Sequence, residues 1–172
     1  MEIVMFMLRK NSLDGRWNRT IVERDPAKST TDCATIQPDD GEAIIKTLDY
    51  LDDNNAKFDR VWLLIYTWPG FGQGWSNDKD KNVEIIEEMI ITLKERNLTY
   101  GIYTAKDYWI NITGNTKKFC DSPLFYVNHD GKNNFDDFYK NPFGGWEEPT
   151  IKLYGCKATD DASICSLWKP NY

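Results

Sequence analysis

The segment Val61–Thr67 constrains the fold of this chain more than any other. It reads VWLLIYT, so nearly every residue is apolar, β-branched or aromatic, and a glycine-rich loop, PGFGQGW, follows Trp68. A short apolar run bounded by turn signals is typical of a β-strand covered on both faces. In α/β folds, residues at the carboxyl ends of such strands bind ligands. We therefore expect a ligand site where this segment ends.

Strands and helices alternate along the rest of the chain, after a polar stretch, Arg9–Asp40, that we expect to be irregular. Helices of this length between strands predict parallel βαβ units. The fold class is therefore α/β, and we expect a modified, incomplete TIM-like β/α barrel with mostly parallel strands in a single domain, residues 1–172. The predicted strands are Ile3–Met7, Val61–Thr67, Thr99–Thr104, Leu124–Asn128 and Thr150–Tyr154, and the predicted helices are Gly41–Asn54, Asp80–Arg96 and Lys106–Ile112.

Composition excludes several classes of partner. The net charge of −6 argues against nucleic acid, because phosphates require basic patches. No apolar run reaches the roughly 18 residues that span a bilayer, so we predict no membrane partner. A single histidine and the lack of a Gly-Lys-Ser/Thr loop give no basis for a metal or other cofactor. Aromatic residues, at 14% with seven tryptophans, favour a surface that stacks on sugar rings.

Cysteines and glycosylation sequons favour a secreted or lysosomal protein. Cys156 and Cys165 flank a polar segment and are candidates for one disulfide, which leaves Cys33 and Cys120 as a second pair. Four free thiols in a reducing compartment are the alternative. Three Asn-x-Thr sequons predict N-glycosylation, although such matches also arise by chance; they begin at Asn18, Asn97 and Asn111.

Three motifs after the VWLLI strand resemble one known family. In order, they are GIYTAKDYW, LFYVNHDG and FGGWEEPTIKLY, the last being the most specific. They resemble the family-25 glycoside hydrolases, the Chalaropsis-type lysozymes, and in particular their invertebrate branch. The resemblance covers roughly Ile3 to Trp168. It implies a modified β/α barrel that cleaves the glycan strands of bacterial peptidoglycan.

The chain departs from that family at the positions where acids are expected. Family members carry an Asp-x-Glu pair at the end of the matching strand, and the resemblance places Leu64 and Tyr66 there. The family's first, Asp-bearing strand has no counterpart, and we interpret the opening strands of the barrel as absent. Glycoside hydrolysis ordinarily requires two carboxyl groups, so whether this is an enzyme stays open. We favour an impaired protein that binds bacterial cell-wall glycan or another N-acetyl-sugar polymer.

Two alternatives remain. An active glycosidase would use Asp130, which follows the Leu124–Asn128 strand, as its surviving acid, although Asp130-Gly131 also reads as a turn. A non-catalytic secreted interaction protein is the other. The candidate substrate-binding residues are Trp68, Tyr103, Trp109, His129 and Trp146. For the aromatic residues among them, packing in the core is the alternative. A barrel without its opening strands exposes an edge, so we also expect a homodimer through Ile3–Met7.

Overall fold

The computed structural model describes residues 3–8, 21–23, 35–36, 41–53, 55, 60–67, 75–158 and 163–170. Within these residues, strands and helices alternate through the middle of the chain. The strands are β1 (Ile3–Leu8), β2 (Ile21–Glu23), β3 (Thr35–Ile36), β4 (Arg60–Leu64), β5 (Tyr100–Thr104), β6 (Leu124–Val127), β7 (Ile151–Ala158) and β8 (Ser163–Trp168). The helices are α1 (Gly41–Asp53), α2 (Lys79–Glu95), α3 (Lys106–Thr113) and α4 (Asp136–Lys140).

The described strands form one mixed sheet in the order β2-β1-β4-β5-β6-β7-β8, and β3 also pairs with β1. Strands β1, β4, β5, β6 and β7 are parallel neighbours, whereas β2 and β8 pair antiparallel with the strands next to them. The carboxyl ends of β4, β5 and β6 therefore meet at one edge of the sheet, where ligand sites of α/β folds lie.

Side chains of the central strands alternate between two faces of the sheet. On the first, which we call the outer face, Val61, Leu63 and Ile102 pack with buried residues of helices α1, α2 and α3 in the larger core. On the second, the inner face, Trp62 and Phe125 belong to a smaller buried cluster. That smaller cluster also contains Val127, Ile151 and Leu153. Helices thus cover one face, and the other carries a separate aromatic and aliphatic surface.

Helix α2 is fixed at its start by polar contacts. The carboxylate of Asp78 accepts hydrogen bonds from the backbone N–H groups of Asp80 and Lys81, which satisfies two of the helix's unpaired donors. Buried Asn82 donates to the carbonyls of Ser76 and Ile112 at 2.8 and 2.9 Å. Asn82 therefore joins α2 to the end of α3, and this places the helices that support β4 and β5.

The α/β class and the mostly parallel sheet confirm the sequence prediction, but a closed barrel is not confirmed. Among the described strands, β8 and β2 end the sheet without pairing with each other, so the sheet is open. The stretch Arg9–Asp40 contains β2 and β3 rather than irregular structure alone. No helix in the described residues is both long and apolar enough to cross a membrane.

The expectation that Ile3–Met7 forms a free edge is wrong. Strand β1 pairs with β4 on one side and with β2 on the other, with Met5 opposite Trp62 and Ile21 respectively. Its backbone donors and acceptors are thus shared with β4, β2 and β3, so the free edge on which the expected dimer rested is occupied; dimerisation itself stays a prediction.

Candidate functional site

Tyrosines occupy the carboxyl ends of β4 and β5. Tyr66 follows β4, and its ring lies 3.8 Å from that of Tyr108 in α3 and 6.4 Å from that of Tyr103 in β5, measured between centroids. Leu64 pairs with Tyr103 across the two strands and is only 2% exposed. The indole Nε1 of Trp75 donates to the carbonyl of Tyr66 at 3.1 Å, which ties Trp75 to the end of β4. The three tyrosine rings form a half-buried group that we call the tyrosine cluster.

The Tyr66 phenol is held in its neutral form. Burial and a hydrogen bond with the Tyr108 side chain raise the pKa of Tyr66 to about 12, since both disfavour the phenolate. At neutral pH this side chain therefore carries a proton that it does not readily release. It can donate a hydrogen bond and present a ring face, but it is neither a carboxylic acid nor an anion.

The tyrosine cluster continues along the inner face as a row of aromatic contacts. Tyr103 meets Phe125 of β6 at 4.9 Å and Phe125 meets Trp62 at 5.2 Å, both edge-to-face. Residues of β6 and β7 flank this row in the same cluster. The inner face is thus apolar along the middle of its strands, between Arg60, which lies over the Trp62 ring, and the carboxyl end, where phenol groups replace hydrocarbon.

A second polar group lies on the outer face around Lys152 of β7, whose side chain is fully buried. Its Nζ atom donates to Asp137 Oδ1 at 2.5 Å, to Asp130 Oδ2 at 2.9 Å and to the carbonyl of Asn134 at 2.9 Å. All three ammonium protons therefore have acceptors, as burial of a charge requires. We call Lys152, Asp130, Asp137 and the Asn134 carbonyl the lysine cluster.

Neighbouring side chains complete this group through Asp137. Its Oδ2 atom accepts hydrogen bonds from the Tyr126 hydroxyl and from Asn128 Nδ2, each at 2.6 Å. Burial by itself would raise the pKa of Asp137, but the hydrogen bonds from Asn128, Lys152 and Tyr126 outweigh it, and the pKa falls below its usual value. Burial and donation to Asp137 raise the pKa of Tyr126, so this phenol stays protonated.

Asp130 contacts the outer face of the sheet, whereas Tyr66 and Tyr103 lie on its inner face. Asp130 lies in the loop after β6, and its carboxylate contacts Lys152, which alternates with the inner-face residues Ile151 and Leu153. Tyr66 instead contacts Tyr103, an inner-face residue.

Comparisons with known proteins identify the family. Residues 30–154 match the family described as lysozyme-like protein 1. The chain is 36% identical to a probable GH family 25 lysozyme 4 of Dictyostelium discoideum, over 77% of this chain and 58% of that protein. It is 37% identical to a probable GH family 25 lysozyme 5 of the same organism, over 64% of this chain and 50% of that protein.

The chain belongs to the lysozyme-like family of the GH25 type. It spans about half the length of the curated relatives it matches. The fold is similar to that of a muramidase from Trichobolus zukalii, with a TM-score of 0.50 and 19% identity over 65% of this chain and 51% of that one. The resemblance stated from the motifs is therefore confirmed.

The structure of this GH25-type chain corrects two predicted substrate-binding residues. Trp109 and Trp146 are buried in the core, 4.8 Å apart, and their Nε1 atoms donate to the carbonyls of Thr116 and Ser122. Neither ring offers a face to a ligand, because each packs among helices and loops on the outer face. Trp109, Ile112 and Thr113 share one stripe of α3, a spacing that already indicated core packing.

The other predicted residues have mixed placements. Tyr103 is half-buried beside Tyr66, and His129 is exposed in the loop after β6, so both stay predictions. Trp68 lies outside the described residues. Sequence reasoning missed Asp137 and Lys152, and it did not select Tyr108 as a substrate-binding residue. The alternation in IKLY places Lys152 on the face of the strand opposite to that of its apolar neighbours. Only the contacts with α4 show that the face with Lys152 is also buried.

The cysteine and sequon predictions have different outcomes. Cys156 and Cys165 form a disulfide across β7 and β8, which confirms that pair. Cys120 makes no disulfide with another described residue, and Cys33 lies outside them, so the second pair stays a prediction. Asn97 and Asn111 are exposed, and Asn18 lies outside the described residues. Across the described part of the chain, no three His, Cys, Asp or Glu side chains are grouped to hold a metal ion.

Proposed function

We propose that this lysozyme-like protein binds bacterial cell-wall glycan at the carboxyl ends of β4 and β5 and is impaired in hydrolysing it. The observation that carries the proposal is that neither of the two positions at which the family resemblance predicts an acid holds one. Leu64 is buried hydrocarbon, and Tyr66 is a phenol whose pKa of about 12 keeps it neutral. The relatives, probable GH family 25 lysozymes, suggest the class of ligand.

Chemistry argues against ordinary glycosidase activity at this site. The reaction requires one carboxylic acid to protonate the leaving oxygen and a second carboxylate to act on the sugar's anomeric centre or on water. Some glycosidases use a tyrosine nucleophile, but that role requires an activated phenolate. Tyr66 is shifted in the opposite direction, since burial and Tyr108 stabilise the neutral phenol. Loss of such groups costs several orders of magnitude in rate.

The same residues favour binding. Tyrosine rings stack on the apolar C–H faces of sugars while their hydroxyl groups hydrogen-bond to sugar hydroxyls. Tyr66, Tyr103 and Tyr108 are each only partly buried, at the edge of the sheet where α/β folds bind ligands. The tyrosine cluster therefore supports recognition of N-acetyl sugars without the acids needed to cleave them.

The experiment measures release of reducing ends from purified bacterial cell walls and, in the same pellet, the amount of bound protein. We expect binding without release above background. Tyr66→Ala should weaken binding, whereas Tyr50→Ala, a 63% exposed tyrosine on α1, should not. Release that disappears in Asp130→Asn while the variant still binds the cell wall would instead establish the alternative, an active glycosidase with Asp130 as acid. Absence of both binding and release would overturn the proposal.

A gain-of-function variant separates a decayed site from one that was never complete. The double change Leu64→Asp with Tyr66→Glu restores the expected acid pair at the end of β4. Weak cleavage by this variant would indicate that the remaining geometry still suits hydrolysis. Circular dichroism must accompany the assay, because Leu64 is buried and an unpaired carboxylate there is costly.

The cellular setting is part of the same proposal. The Cys156–Cys165 disulfide suits an oxidising compartment, and exposed Asn97 and Asn111 are accessible to N-glycosylation. We place the protein in a secretory or lysosomal route, with a role in defence against bacteria or their digestion. Mass spectrometry of the protein from its native source tests this directly, and unmodified asparagines at both sites would remove that support.

A further inference from the structure

We propose that Lys152 is a positioning residue for the glycan site: its buried ammonium holds the loop after β6, residues 128–135, in one conformation at the carboxyl edge of the sheet. The inference rests on the proposed function, since it concerns affinity for cell-wall glycan. It assigns a role to a charged residue that neither the tyrosine cluster nor hydrolysis uses.

The first support is the pattern of contacts made by Lys152. Its Nζ atom bonds to a side chain near the start of this loop, Asp130, and to a backbone carbonyl near its end, Asn134. The third bond reaches Asp137 in the first turn of α4. One ammonium group thus connects β7 to two points of the loop and to the helix that follows. The Lys152 side chain that makes these contacts is fully buried.

Backbone hydrogen bonds act in the same direction. The amides of Asn128 and Gly131 donate to the carbonyls of Leu153 and Tyr154, so the loop continues the pairing of β6 with β7 beyond the strand. The Lys132 amide donates to Asp130 Oδ1 at 3.0 Å. Asp130 therefore has two contacts: its Oδ2 atom pairs with the Lys152 ammonium, and its Oδ1 atom accepts a hydrogen bond from a backbone amide of its own loop.

The loop after β6 lies where its order can affect glycan binding. The loop leaves the carboxyl end of β6, next to β5, whose carboxyl end carries Tyr103. Its exposed residues include His129, Lys132 and Asn133, all with hydrogen-bonding side chains. A loop ordered before binding does not lose conformational freedom on contact with a glycan, so affinity rises without any new contact. Lys152 touches no ligand in this role and acts through the loop.

The mild variant Asp130→Asn tests the inference. It removes the ion pair to the loop while Lys152 keeps Asp137 and the Asn134 carbonyl. We expect amide hydrogen exchange of Gly131 and Lys132 to accelerate and cell-wall affinity to fall about tenfold, the size expected for loss of one charged hydrogen bond. Asp136→Asn is the matched control, because Asp136 is exposed, lies in the same helix turn as Asp137 and has no described contact with Lys152.

A second control distinguishes positioning from general stability. Ile112→Val trims a buried side chain of α3 and destabilises the fold without touching the loop. It should leave exchange at Gly131 and affinity unchanged. Lys152→Met should reproduce the Asp130→Asn result more strongly if it folds.

The outcomes separate the two proposals. Wild-type binding with unchanged affinity in Asp130→Asn overturns the positioning role and leaves the proposed function standing. Unchanged exchange in Asp130→Asn also overturns it, because the loop would then be ordered without the ion pair between Lys152 and Asp130. Absence of wild-type binding overturns the proposed function itself, and the affinity part of this inference with it.

Discussion

The indole ring of Trp62 lies over Gly101 of the neighbouring strand, in the space that any larger residue would need. A Cβ atom on Gly101 would lie 2.7 Å from Trp62 Cε3 and 2.9 Å from the carbonyl oxygen of Pro123. The two residues are directly paired across β4 and β5. The absence of a side chain at Gly101 therefore allows the aromatic row of the inner face to form.

Gly101→Ala should consequently destabilise the protein. The added methyl group forces Trp62 or the strand to move, and such overpacking typically costs about 1–3 kcal/mol. Urea unfolding followed by circular dichroism measures the change. Gly155→Ala is the control, since nothing lies within 4 Å of a Cβ there. Equal stabilities for the two variants would show that the ring adapts without strain.

Loss of the buried ammonium should have a large effect. Lys152→Met retains the unbranched apolar part of the side chain but leaves Asp130 and Asp137 without their cation, and both carboxylates are about one-fifth exposed. Full burial of an unpaired charge costs roughly 3–5 kcal/mol. Because water reaches these carboxylates, we expect a loss of about 2–3 kcal/mol in unfolding free energy. A loss below that of Ile112→Val would contradict this account.

Asp137 makes stability depend on pH. Its pKa is lower in the folded protein than in the unfolded chain, so the unfolded chain binds the proton more readily. The stabilisation is therefore fully present above the unfolded pKa near 4 and disappears as the pH falls through the lower folded value. Unfolding free energies measured between neutral and strongly acidic pH should fall less steeply in Asp137→Asn than in the wild type. Asp136→Asn should follow the wild-type curve.

The disulfide contributes chiefly to the β7–β8 hairpin. Cys156 and Cys165 are exposed and nine residues apart, so reductant should reach them while the domain stays folded. A loop of that length contributes at most about 3 kcal/mol through chain entropy. We expect dithiothreitol to lower the melting temperature modestly while far-ultraviolet circular dichroism at room temperature is retained. Unfolding at room temperature on reduction would show that the hairpin holds the whole sheet.

Much of the central fold could be predicted from the sequence. The apolar run after Arg60, the amphipathic stripe of α2 and the turn before β5 each give a local signal, and these elements lie within a few residues of their predicted bounds. Helix α4 was missed because five residues, DDFYK, carry no periodicity that separates them from a loop. Strand β8 was missed because its strand character depends on pairing with β7, and that pairing cannot be read from the residues of β8 alone.

The candidate site was less predictable, for two physical reasons. Ring type alone does not show whether an aromatic side chain faces the core or a ligand, so Trp109 and Trp146 were assigned to a ligand although they fill the core. Burial of a lysine is likewise invisible in a single strand, because the acceptors of Lys152 lie in a loop and a helix. Local pattern identifies elements, whereas the site depends on contacts between them.

Separation of the two faces has a consequence for how such a protein changes over generations. The packing that attaches the helices lies on the outer face, while Leu64, Tyr66 and Tyr103 lie on the other side or at its edge. Substitutions at the second set therefore leave most of the helix packing in place, except where Tyr66 contacts Tyr108 of α3. A protein built on this sheet can thus lose one catalytic activity, keep its fold and use the same surface for a different function.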